Sequence, residues 1–380
     1  MATNVYGNGA NSTAGANTIV HYYDRAGVKA ANRVNVYGQF ADRKSMPKKM
    51  GKTFKISKFL HMYDRALNDA EFAAKGFLSA RSVAEVSTAL SNAQLAEGAG
   101  AVNKRSLQKV TMETSMARYG EMIDYTDEVE LFSEDAIQVR YREELGELAN
   151  SRMEDLIQLD MLSTGTVMFG GDATAIGEID ADSVVSYDLI RKAVRKLVRN
   201  RAQKNTQLVT GSNKIDTQTV AKAYYAVIGA NVKGDLETLT RGTVADNGMT
   251  EFVYIPAHKY ASASTMAEGE VGAMHEVRFI ESESAVVYAG EGADATGYTG
   301  TLSTTGGKFD VFPILFPTQG AFATVGLKGQ DKIKFNSKSP EQVENANPYG
   351  TNGFFSYNFF YAGIILEEEK MLKVLVSASA

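Results

Sequence analysis

SEDAIQVRYREELGELANSRMEDLIQLDML, residues 133–162, is the stretch around which the rest of the chain is organised. Ser133 is a candidate N-cap, and Glu134 and Asp135 fall in the first turn, where the positive end of the helix dipole favours carboxylates. Ile137, Tyr141, Leu145, Leu148, Met153, Leu156 and Ile157 recur near helical spacing, and Gly165 follows the last turn. A helix over about 133–163 would be on the order of 45 Å long. That is longer than one compact domain requires, so it is expected to span the molecule as a spine.

Upstream, QKVTMETSMARYGEMIDYTDEVE reads as strand to about residue 130, and 53–57 alternates Phe54 and Ile56 with polar residues as a second strand. Between them, 59–104 is rich in Ala, Ser and Leu with only partial helical periodicity, and it closes on LAEGAGAV. A long, weakly patterned excursion between strands is read as a two-armed projecting loop. Residues 1–18 carry four Asn and three Gly and little to bury, so they read as an extended arm. A short helix is expected within 19–36, ended before Pro47 and Gly51.

Downstream, a Gly-rich link over 165–177 leads to two expected helices, 187–204 and 217–228. Strand EFVYIP, a Gly- and Ala-rich loop over 290–307, and strands around FDVFPILF and GAFATVGL follow. GFFSYNFFYAGIILEEEKMLKVLVSAS reads as two apolar strands around a polar turn. Helices and mostly antiparallel strands in separate runs give an α+β class.

The 380 residues, 44% of them apolar, suffice for about two cores. No apolar run reaches the roughly 18 residues of a membrane span, and the first twenty lack the basic and apolar regions of a secretion signal. Zero cysteines exclude disulfides and thiolate metal sites and fit assembly in a reducing cytoplasm. Forty basic against forty-five acidic residues, a net charge of −5, argue against a protein whose main task is gripping nucleic acid.

Chemistry is hard to find. His21, His61, His258 and His275 are scattered, with no pair four apart as a helical zinc site needs. In GEVGAMHEVRFIES, residues 269–282, the His275-Glu276 pair lacks a second histidine and follows a Gly-x-x-Gly turn into a strand, so its role is read as structural. GNGANSTAG lacks the Lys-Ser/Thr and preceding strand of a phosphate loop, and EIDADS lacks the later Gly and Glu of a calcium loop. No G-x-S-x-G elbow exists, and a cysteine nucleophile is impossible. The expectation is no catalytic, cofactor or metal site.

Two charge patterns stand out instead. RKAVRKLVRNRAQK places Arg191, Lys192, Arg195, Lys196 and Arg199 on one expected helix face, opposite Ile190, Val194, Leu197 and Val198. Glu121, Asp124, Asp127, Glu128 and Glu130 form an acidic patch running into Glu134 and Asp135. Two solvated surfaces are the plain reading. The sharper one is that patches of opposite sign meet between copies and set their register.

Arm, strand, two-armed loop, strand, very long helix and late α+β domain together resemble the major capsid proteins of tailed bacteriophages, of Hong Kong 97-like fold. The branch most similar is that of the N4-like phages. HYYDRAGVKAANRVNVYGQF, LAEGAG, YGEMIDYTDEVELFSEDAIQVRYREELGELANSRMEDLIQLDMLSTGT and GEVGAMHEVRFIES carry the resemblance. It implies an N-terminal arm at 1–52, an extended loop at 53–108, a peripheral domain at 109–178 and 325–345, and an axial domain at 179–324 and 346–380. In that frame Gly269 and Gly272 allow a turn, Val277 and Phe279 point one way, and Arg278 and Ile280 the other.

The function implied is self-assembly as hexamers and pentamers into an icosahedral head around double-stranded DNA, which is enclosed without sequence-specific binding. Implied partners are further copies, scaffolding and portal proteins and a decoration protein, with no membrane; assembly would occur in the host bacterial cytoplasm. Two rivals are an encapsulin-like compartment shell and a hydrolase using acidic residues.

Overall fold

The computed structural model describes residues 35–59, 82–95, 97–98, 103, 107, 109–132, 137–209, 217–241, 251–260, 266–330, 332–343 and 347–380. The expected arm at 1–18, most of the expected helix at 19–36, and the Ser133 cap with Glu134 and Asp135 lie outside these residues.

The first strand, β1 (Asp42–Met46), is followed by β2 (Thr53–Phe59), the helix α1 (Val83–Ala93) and β3 (Lys109–Ser115). β4 (Ala117–Thr126) runs into the six-residue α2 (Asp127–Phe132), and then α3 (Ile137–Leu162) begins. The expected strand therefore ends at Thr126, because Asp127 and Glu128 open a helical turn whose dipole favours them. At 26 residues α3 is about 39 Å long. Leu145, Ala149, Ile157 and Met161 bury one face of it, with Glu154 and Gln158 set among them.

Beyond α3 come β5 (Val167–Phe169), α4 (Tyr187–Arg199), β6 (Asn205–Val209), β7 (Thr217–Ile228) and α5 (Ala230–Glu237). The expected helix at 217–228 is a strand. Tyr224, Ala226 and Ile228 enter the core on one side of it while Tyr225 and Val227 enter the core on the other. A strand buried on both faces reads as a continuous apolar run, in which helix and strand periods cannot be told apart. Short β8 (Thr240–Arg241), β9 (Glu251–Phe252) and β10 (Ile255–Pro256) precede β11 (Glu270–Met274) and β12 (Val277–Glu281). The remaining strands are β13 (Thr304–Thr305), β14 (Lys308–Phe309), β15 (Phe312–Phe316), β16 (Phe322–Leu327), β17 (Lys334–Lys338), β18 (Asn352–Tyr361), β19 (Gly363–Ile365) and β20 (Leu372–Val376).

A mixed eight-stranded sheet has the order β10-β11-β12-β7-β15-β20-β5, with β6 paired to β7. On one face α4 seats Leu189, Ile190, Ala193, Val194 and Leu197 against Phe279, Ile314, Phe316 and Val374, and Val232 and Leu236 of α5 join them. The other face packs Tyr225, Ile280 and Leu315 against Phe40 and the end of α3. β5 takes part of the expected Gly-rich link into the sheet edge, beside β20.

α3 lies over a three-stranded sheet of order β17-β18-β4. The burial of β18 alternates without a break, with Phe355, Tyr357, Phe359 and Tyr361 facing inward. Tyr357 and Phe359 stack at 6.1 Å between ring centroids, and Phe355 stacks on Tyr125 at 5.5 Å. Each such ring removed from water contributes about 1.5–3 kcal/mol. Residues 352–361, expected with the axial domain, therefore sit with the long helix, because β18 pairs along its whole length with β4. Residues 35–46, expected within a free arm, are built into the body: Tyr37 and Phe40 are buried, and β1 pairs parallel with β16.

Candidate functional site

β2 and β3 form an antiparallel hairpin from Thr53↔Ser115 to Phe59↔Lys109. Its alternation gives it two different faces. Phe54, Ile56 and Met112 pack on a small core of Met46, Met116, Ala323, Val325, Ala362 and Ile364. The other face is a polar ladder, with Lys55 Nζ 2.7 Å from Glu113 Oε2 and the Ser57 and Thr111 hydroxyls 3.1 Å apart. The Lys55 ammonium holds the Glu113 carboxyl below the usual carboxylate range. The hairpin stem is thus anchored. α1 opens with a full capping box between Ser82 and Glu85, yet none of its residues is buried. Val83, Val86 and Leu90 share one face, and Val83 is 87% exposed. An apolar stripe like this is left mostly uncovered within its own chain, among the described residues.

On α4 the basic face is smaller than the sequence implied. Arg191, Lys192, Arg195 and Arg199 are exposed, but Lys196 is only 8% exposed and its Nζ donates to the Val167 carbonyl at 3.0 Å. Burial lowers its pKa to about 8. Val198, assigned to the packing face, is instead 54% exposed. The 100° step per residue explains both: Lys196 falls about 20° from buried Leu189, at the edge of the packed face, and Val198 falls about 20° from exposed Arg191. Arg191 is engaged, 3.4 Å from Asp188 and over the Tyr187 ring.

The acidic patch is divided as well. Glu121 pairs with Arg152 of α3 at 3.0 Å. Asp124 and Glu128 are exposed and Asp127 half-buried, and none of these three pairs with a cation among the described residues. The side chain of Glu130 lies outside the described set. Val129, Leu131 and Phe132 stand exposed beside the acids, Phe132 by 85%.

GEVGAMHEVRFIES turns later than expected. Gly269 has φ +77°, but Gly272 lies in extended β11, and the reversal into β12 is made by His275 at φ +57° with Glu276. Gly272 is needed for another reason: an added Cβ would meet the Tyr254 ring. Val277 and Phe279 face α4, Ile280 faces the opposite core, and Arg278 pairs with buried Glu270 at 2.8 Å. His275 packs edge-on to Tyr187, and Glu276 pairs with Lys204 at 2.8 Å, which holds its carboxyl below the usual range. No group of three or more metal-ligating side chains gathers among the described residues, and no described helix is long and apolar enough to cross a membrane.

One surface was not singled out in the sequence. RKSMPKKMGK, residues 43–52, holds five cations and no carboxylate. Arg43, Lys44, Lys48, Lys49 and Lys52 are all exposed at the corner between β1 and β2, and none forms an ion pair among the described residues. The run was legible as charge alone. Its division between a strand and a turn hid it.

No protein-family model matches the chain. It is 29% identical over 375 residues to the major capsid protein of Pseudomonas phage KPP21, covering 95% of this chain and 93% of that one. Among solved structures it is similar to the capsid of Ralstonia phage GP4, with TM-score 0.61, 12% identity, and 98% and 99% of the two chains covered. It is also similar to the cyanophage Pam1 capsid, with TM-score 0.58, 11% identity, and 98% and 99% covered. For the capsid of cyanophage P-SCSP1u the TM-score is 0.55 at 11% identity, with 97% of each chain covered. The chain thus has the fold of phage capsid chains.

Proposed function

We propose that this chain is the major capsid protein of a tailed double-stranded DNA bacteriophage, of Hong Kong 97-like fold and N4-like kinship. The observation that carries the reading is the likeness to a phage major capsid protein along 95% of the chain. The role is structural rather than catalytic: copies assemble as hexamers and pentamers into the icosahedral head. Double-stranded DNA is enclosed without sequence-specific binding. Scaffolding, portal and decoration proteins are the expected partners, and the host bacterial cytoplasm the place of assembly.

The physical argument points the same way. Ordering a projecting segment costs about 1–2 kcal/mol per residue in backbone entropy, and that cost must be offset by burial. Along the stripe of Val83, Val86 and Leu90, Val86 is half-buried while Val83 and Leu90 stay exposed, so most of it is left uncovered within its chain, among the described residues. A neighbouring copy is the natural supplier. In this reading residues 1–52 are the arm, its part at 35–46 seated on the body, 53–108 the extended loop, 109–178 and 325–345 the peripheral domain, to which the pairing of β18 with β4 adds 352–361, and most of the remainder the axial domain. Asp124, Asp127 and Glu128 on one side, and Arg191, Lys192, Arg195 and Arg199 on another, are surfaces through which copies meet.

Negative-stain electron microscopy of the protein, expressed alone and with its neighbouring genes, tests the reading. Closed shells or hexameric rings are expected. A monodisperse small oligomer under both conditions would overturn it.

A further inference from the structure

Two surfaces of opposite sign lie at opposite ends of β4. At its start the Met116 N–H donates to the Lys52 carbonyl at 2.9 Å, and Met116 and Met46 share one apolar core. That core underlies the corner bearing Arg43, Lys44, Lys48, Lys49 and Lys52. Lys328 is brought alongside, its N–H donating to the Met46 carbonyl at 2.9 Å. At the far end of β4 stand Asp124, Asp127 and Glu128. Seven residues of strand from Ala117 to Asp124 span about 24 Å. That is some three times the Debye length of about 8 Å at physiological salt, so the two surfaces of one copy cannot neutralise each other.

Resting on the capsid reading, we infer that the basic corner of one copy docks on the acidic end of β4 and α2 of the next, head to tail. A contact between two different patches on one kind of subunit is heterologous, and repeating it closes a ring when the rotation permits. Ion pairs at a surface contribute little alone. Here each side also offers exposed apolar surface, Met50 in the corner and Leu131 and Phe132 beside the acids. Those residues favour a protein partner over a nucleic-acid backbone. α4 is the weaker candidate for the acidic end, since Lys196 is turned inward and Arg191 is already engaged. The charges set register and encounter rate, and the apolar side chains hold the contact once made.

The test is a charge swap in the full-length protein, read by sedimentation velocity and electron microscopy. Lys48→Glu with Lys49→Glu, and separately Asp124→Lys with Glu128→Lys, are each expected to lower the assembled fraction about tenfold or more. The thermal midpoint of the subunit should fall by no more than a few degrees, because all four replaced side chains are exposed and only Glu128, in the first turn of α2, has a local helix-dipole contribution to lose. Combining all four substitutions is expected to restore assembly to within about twofold of the original. Either double variant assembling normally overturns the inference, as does a combined variant that stays unassembled. Normal shells that have lost nucleic acid in the Lys48→Glu, Lys49→Glu variant would place the corner against DNA and also overturn it. An unmodified chain that forms no particles at all would instead remove the capsid reading.

Discussion

The carboxylate of Glu154 accepts the backbone N–H of Tyr37 at 2.5 Å and that of Gly38 at 3.3 Å, 117 and 116 residues away in sequence. Tyr37 opens a single helical turn, Tyr37–Phe40, that has no side-chain cap of its own, so the long helix supplies the acceptor for its orphan donors. Gln158, one turn further along α3, lies 2.8 Å from the Tyr37 hydroxyl. With its amide oriented to accept from that hydroxyl and from Val286 N–H, its nitrogen donates to the Ser284 carbonyl at 3.1 Å. The entry of the N-terminal segment is thereby clamped to the middle of the spine.

Replacing Glu154, 2% exposed, by Gln should leave a buried N–H facing an amide NH2. The expected cost is about 2 kcal/mol, read as a lower urea midpoint of the unassembled subunit and earlier proteolysis before residue 41. An unchanged midpoint would mean that the donors find another acceptor.

Gly272→Ala should destabilise the subunit by about 1–3 kcal/mol, because the new methyl overlaps the Tyr254 ring in a packed interior. Gly234→Ala, at a helical position with open space around it, is the control and should not destabilise. Equal melting temperatures for the two variants would refute the packing argument.

Lys196 gives a pH dependence whose sign is fixed. Burial lowers its folded pKa from 10.5 to about 8, so between these values the unfolded chain binds more protons than the folded one. Stability from this group therefore rises as pH increases from about 8 towards 10.5, and is lowest where both states are charged. Comparing the urea midpoints of the native protein and Lys196→Met at pH 7.5 and 9.5 isolates the effect. The native protein should gain on the variant at the higher pH; parallel behaviour would count against it.

These sites also mark what a sequence reader can and cannot see. The long helix was legible because Leu145, Ala149, Ile157 and Met161 sit on one buried face, with Arg152 and Leu159 on the exposed side. The strand read at 53–57 was legible from two-residue alternation, and in the fold it runs two residues further, to Phe59. β7 was not, because burial on both faces erases alternation and TVAKAYYAVI also fits a helical spacing. Lys196 was misplaced because a face was assigned by residue type, whereas the packing of α4 is set by where the sheet lies. The reversal at His275 was assigned to glycine, although histidine can adopt the left-handed region at modest cost. Surface function was the least legible part, since partners act between copies and leave only charge and exposure as traces.

Reversing Arg195 and Arg199 to Glu should impair assembly while leaving the subunit folded. Both side chains are exposed on α4, next to Val198, so a contact there would be disrupted without disturbing the inner row of Ile190, Ala193, Val194 and Leu197. Normal shells from this variant, counted by electron microscopy, would exclude that face of α4 from assembly.

Deleting residues 62–102 should yield a soluble, folded subunit that cannot make stable shells. The stem strands keep their seven paired positions and their apolar footing on Met46 and Met116. Circular dichroism and sedimentation together report the outcome, and stable shells from the truncated chain would rule out a bracing role for the loop.

β20 lies between β15 and β5 in the eight-stranded sheet, yet it is the last described strand to leave the ribosome. Until residues 372–376 emerge, β15 and β5 each present an open edge and the cores on both sides stay ajar. Such late, long-range closure is slow, and it exposes strand edges to strangers while it waits. It also acts as a checkpoint in time. A chain abandoned mid-synthesis lacks the strand that joins β15 to β5, so its sheet is left in two parts with both edges open.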